Sequence, residues 1–132
     1  MKYRVLLDLH LAGKDVFLRA GLRESGWADL VTLEFLRLRD VGLPDDCSDQ
    51  DIWRFVQQHR MVLLTSNRNC DDETSLQATI RRENTLDALP IVTVPDPDRL
   101  LNSAYRQDVV VGLIEIFLCP EEFCGRGRMF IS

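Results

Sequence analysis

Short apolar runs alternate along the chain with segments of helical spacing, and acidic or turn-forming residues punctuate the joins. Tyr3 to Leu7 is a compact apolar run suited to a buried strand, ending at Asp8. Asp15 to Glu24 has helical spacing, and Gly26 can stop that helix in a left-handed conformation. Leu30 to Phe35 alternates and carries Val31 and Thr32, which predicts a second strand. Gly42-Leu43-Pro44-Asp45-Asp46 is a loop signal, after which Ser48 caps a helix through about His59 with Ile52, Phe55, Val56 and His59 on one face.

Met61 to Leu64 reads as the third strand. Thr74 and Gln77 have capping-box spacing and open a helix bearing Leu76 and Ile80. The run Ile91-Val92-Thr93-Val94 is the next strand, and Asp96-Pro97 then supplies an N-cap and an N1 proline. Leu100, Leu101, Ala104, Val111, Ile114 and Leu118 form a long apolar helical stripe, although Val109-Val110-Val111 also suits a strand. Met129 to Ile131 reads as a last strand. The alternation predicts an α/β chain: a three-layer α/β/α sandwich with a mostly parallel sheet, formed as one domain over residues 1–132.

Composition narrows the class. With 132 residues at 45% hydrophobic, the chain suits one domain with a proper core. No apolar run is long enough to span a bilayer, and the amino terminus carries an acid within its apolar run, unlike a signal peptide. A cytoplasmic protein without membrane contact is therefore expected. The net charge of −5 argues against general coating of nucleic acid but leaves room for a local basic patch. Cys47, Cys70, Cys119 and Cys124 lack CxxC pairing, so ordinary thiols are expected.

Candidate chemistry gathers where carboxylates follow strands. Ligand sites in parallel α/β sheets lie at the carboxyl ends of the strands. Asp8 follows the first strand, Asp49 and Asp51 open the helix after the second, and Asp71 and Asp72 close the turn in Met61–Asp72, MVLLTSNRNCDD. Asp51 has capping-box spacing from Ser48, which predicts a structural role for it.

Leu6-Leu7-Asp8-Leu9-His10-Leu11, Gly42-Leu43 followed by Ser48-Asp49-Gln50-Asp51-Ile52, and Val62-Leu63-Leu64-Thr65-Ser66-Asn67-Arg68-Asn69 together resemble the PIN-like superfamily. The likeness is to its small bacterial branch, related to VapC toxins and to the Mut-seven C-terminal ribonuclease domain, and it covers roughly the first seventy residues best. It implies a PIN-like fold whose acidic site binds Mg²⁺ or Mn²⁺ and cleaves RNA phosphodiester bonds. On that likeness Asp8 and Asp49 are catalytic metal ligands, Thr65 is the hydroxyl residue closing the third strand, and Asn67 falls in the catalytic turn. Asp71 and Asp72 are expected as further metal ligands. Arg68, His10 and Asn69 are expected to contact substrate. RNA, a small antitoxin-like protein and a second copy of the chain are the expected partners.

The chain departs from this pattern at one place. The branch often has an Asp-x-Asp pair after the threonine, and here Asn67 and Asn69 stand instead. An amide oxygen can coordinate a hard ion but brings no negative charge and no carboxylate base. The expectation therefore divides between a metal-dependent ribonuclease and a binding or scaffold protein that has lost cleavage. A phosphoacceptor of receiver type would need a lysine late in the chain, and none follows Lys14.

Overall fold

Val5, Leu6 and Leu7, and likewise Val62, Leu63 and Leu64, are buried on both sides because both faces of the sheet are covered there. The computed structural model of the chain describes residues 2–66 and 76–131. In order come β1 (Lys2–Leu7), α1 (Asp15–Glu24), β2 (Thr32–Arg37), α2 (Asp49–Gln58), β3 (Val62–Thr65), α3 (Leu76–Glu83), β4 (Ile91–Thr93), α4 (Ser103–Leu118), α5 (Pro120–Phe123) and β5 (Arg128–Phe130). The five strands form one sheet in the order β2-β1-β3-β4-β5, and every pairing is parallel.

Strand side chains alternate between two apolar clusters, as a period of two requires. Val5, Leu7, Val62, Leu64 and Val92 face α1 and α4, in one cluster with Leu18, Tyr105, Val109 and Leu113. Leu6, Leu63 and Ile91 face the opposite way and join Ile52, Val56, Leu76 and Ile80 of α2 and α3. The expected helix–sheet–helix layering follows from these two clusters. Helices α1 and α4 approach closely at Gly21, where an added Cβ would lie 2.9 Å from the Arg106 carbonyl oxygen. A bidentate ion pair from Arg106 to Glu24 closes the same contact, both bonds at 2.6 Å.

Several element boundaries differ from the sequence pattern. The second strand begins at Thr32 rather than Leu30 and runs to Arg37, because its register with β1 pairs Lys2 with Thr32 and Leu7 with Arg37. Val31 is still buried, ahead of the strand. The third strand is shifted by one residue to end on Thr65, and the last runs from Arg128 to Phe130. Asp96 does cap its turn, but Pro97–Leu101 is a 3-10 helix. The α-helix restarts after Asn102, whose side chain accepts from the Tyr105 N–H at 3.0 Å. Val109, Val110 and Val111 are helical, since burying the first two against the sheet outweighs a small β-branched penalty. No helix among the described residues is long and apolar enough to cross a membrane.

Candidate active site

From β1 the chain passes to one neighbour, β2, then returns to the other side of β1 as β3. The carboxyl ends of β1 and β3 thus bound the switch point of the sheet, where the connections diverge and leave a crevice. Asp8 ends β1 in extended backbone at φ −71°, ψ 175°. Its N–H donates to the Leu64 carbonyl at 3.2 Å, which sets it beside Thr65. The Thr65 hydroxyl donates to Asp8 Oδ2, and the His10 N–H donates to Oδ1 at 3.0 Å. Both carboxylate oxygens are therefore held in fixed directions.

Burial pushes the Asp8 carboxyl above its ordinary range; the Thr65 hydroxyl, the His10 charge and the backbone N–H groups of His10 and Leu11 partly oppose this. An acid placed so at a strand end is one whose charge a bound cation would stabilise.

Asp49 occupies the first turn of α2, positioned by Ser48, whose Oγ accepts from the Asp51 N–H at 3.1 Å. That bond caps the helix through Ser48 and the backbone N–H of Asp51, and the Asp51 side chain takes no part in it. Asp8, His10, Asp45, Cys47 and Asp49 line one cleft of about 160 Å³. The Cys47 thiol is raised by burial and then by Asp51, Asp46 and Asp49, so it is held as a neutral thiol rather than a nucleophile. A second cleft of about 170 Å³ shares Asp8, Leu9, Leu38 and Asp45 with the first and adds Arg37 and Arg39. Asp45 thus lines both clefts, and the Arg37 guanidinium in the second is paired with Asp40 at 3.5 Å.

No family model matches the chain, and no curated protein or solved structure matches it either.

Of the residues expected at the site, Asp8, His10 and Asp49 share the cleft, and Thr65 is bonded to Asp8. Asn67, Arg68, Asn69, Asp71 and Asp72 lie outside the described residues, as does Thr74 of the expected capping box. Sequence reasoning missed Arg37 and Arg39. Their signal was the run Arg37-Leu38-Arg39, but a strand ended two residues early leaves Arg37 in a loop instead of at the sheet edge.

Among the described residues no group of three or more His, Cys, Asp and Glu side chains is gathered to hold a metal ion. The donors present still fit a hard divalent ion, because Mg²⁺ keeps several waters and is commonly held by one or two carboxylates. Thr93 closes β4 beside Thr65, and among the described residues its buried hydroxyl has no hydrogen-bond partner.

Proposed function

We propose that this chain is a PIN-like ribonuclease that uses Mg²⁺ or Mn²⁺ to cleave RNA phosphodiester bonds. The observation that carries the proposal is Asp8 at the switch point, held by Thr65 and sharing one cleft with Asp49. In this reading Asp8 and Asp49 supply the hard oxygen donors. A bound divalent ion would supply activation of water and neutralisation of charge building on the phosphate. Thr65 and the His10 N–H keep the Asp8 oxygens oriented. Arg37 and Arg39 face the adjoining cleft, where guanidinium geometry suits the neighbouring phosphates of the strand. The overall charge of −5 leaves such contact to local basic groups rather than to a broad positive surface.

The test is Mn²⁺-dependent cleavage of single-stranded and structured RNA by the wild type, by Asp8→Asn and by Asp49→Asn. Cleavage that EDTA and both substitutions abolish is the expected result. Equal cleavage by Asp8→Asn sinks the proposal.

A second reading has its own support in Asn67 and Asn69, which stand where this branch often has two aspartates. In that reading the cleft binds RNA or a protein partner without cutting. It predicts wild-type protein that retains RNA on a filter yet leaves it intact with Mn²⁺ at millimolar levels.

A further inference from the structure

The cleft of about 170 Å³ beside Asp8 is walled by two segments that leave the sheet at neighbouring strands, β1 and β2. One wall is the 3-10 turn Leu9–Leu11 with Ala12, and the other is the 3-10 turn Leu38–Val41 with the loop beyond Gly42. Leu9 and Ala12 on the first wall and Leu38 on the second give the space apolar sides. Leu38 is buried, but Leu9 is 52% exposed although it directly follows Asp8. A flat ring laid between these walls would take the apolar surface of Leu9 out of water. Asp45 lines this cleft and the acidic one. Among the described residues its carboxylate has no ion pair and no side-chain hydrogen bond.

A planar ring with N–H donors on its edge is the chemistry that answers apolar walls and an unpaired carboxylate together. Unpaired RNA bases supply it, since they are read by contact on their flat faces and by hydrogen bonds along their Watson–Crick edges. A carboxylate only accepts, so it favours the base with most donors on that edge. Guanine offers two side by side, N1–H and the N2 amino group. Uracil flanks its one N–H with two carbonyls, and adenine and cytosine set an acceptor nitrogen beside their amino group. We infer that this cleft seats an unpaired guanine of the RNA strand between Leu9, Ala12 and Leu38, with Asp45 accepting from N1–H and N2–H. Asp45 and Leu9 are then specificity-determining residues, and Arg39 meets a phosphate of the same strand at the cleft rim. This deepens the reading proposed above and rests on the cleft being an RNA site, with no requirement that the strand be cut.

The experiment titrates fluorescein-labelled hexauridylate carrying one central guanosine, inosine or adenosine, or none, in EDTA, with fluorescence anisotropy as the readout. Inosine keeps N1–H and lacks the amino group. The wild type should bind the guanosine strand several-fold more tightly than the inosine strand, and about tenfold more tightly than the other two. Asp45→Asn should bind the guanosine and inosine strands equally, whatever its added charge does to both. Leu9→Ala should weaken the guanosine strand several-fold while leaving Tm within a degree or two, because the side chain is half exposed. A wild type with no guanosine preference, a wild type that binds none of the strands, a preference that survives Asp45→Asn, or unchanged binding by Leu9→Ala each overturns the inference. Mn²⁺-dependent cleavage without guanosine preference leaves the proposed activity standing and sinks the inference. Guanosine preference without cleavage does the reverse.

Discussion

Asp8→Asn separates the electrostatic character of the site from its chemistry, and it can be read without substrate. The Asp8 carboxyl has an ordinary value of 3.8 and is raised in the fold, chiefly by burial. Between those two values the native chain binds more protons at Asp8 than the unfolded chain does. Stability contributed by this residue therefore falls as pH rises through that window, and the deficit persists at neutral pH. Each pH unit of upward displacement corresponds to about 1.4 kcal/mol, reduced by solvent screening because the group is only partly buried. Asparagine is nearly isosteric and does not titrate. Its Oδ1 can accept from the His10 N–H while its Nδ2 donates to Thr65 Oγ1, so the two bonds survive with their polarity rearranged. In acid, where Asp8 is protonated in both states, the variant and the wild type should agree within about 1 kcal/mol. As pH rises above the ordinary value of 3.8, the variant should gain on the wild type until the raised native value is passed, and keep that gain to neutral pH. Urea denaturation of both proteins in EDTA, at half-unit steps from pH 3 to 7, measures this difference directly. Charges elsewhere largely cancel in the comparison. A pH-independent difference, or one in which the wild type gains toward neutrality, would refute the reasoning that burial governs this carboxyl.

Three further substitutions test other parts of the argument. Gly21→Ala should destabilise by up to about 2 kcal/mol in urea titration: a crowding penalty of about 1–3 kcal/mol at the Arg106 carbonyl is offset by the roughly 1 kcal/mol that alanine gains in helix propensity. A more stable variant would show that α1 and α4 are not tightly apposed. Ser48→Ala removes the cap that orients the first turn of α2 and should lose about 1 kcal/mol by the same method. Arg39→Ala should weaken retention of single-stranded RNA several-fold and lower the salt-dependence slope by about one, while leaving Tm within a degree or two. Unchanged RNA retention would remove Arg39 from the substrate path.

The layers and the approximate strands were legible because burial on both faces leaves a local imprint. Runs such as Val5-Leu6-Leu7 and Val62-Leu63-Leu64 have no polar position to place on either side. Strand ends were less legible, since partners set them. Val31, Leu33 and Phe35 have the correct parity for β2, yet only pairing with β1 carries the strand through to Arg37. The restart of α4 at Asn102 was obscured for a related reason: Asp96-Pro97 is an equally good local cap, and both signals are used in succession.

The site divides along the same line. Asp8 and Asp49 could be singled out because an acid that ends an apolar strand, or opens a helix at a strand's carboxyl end, is conspicuous locally. Their sharing of one cleft, and the Thr65 bond to Asp8, are consequences of strand order. Thr93 has no such local mark. Its place beside Thr65 arises only because β3 and β4 pair with those two residues in register. Burial at the carboxyl edge of the sheet raises the Asp8 carboxyl above its ordinary range, and a cation brought there would favour the ionised carboxylate.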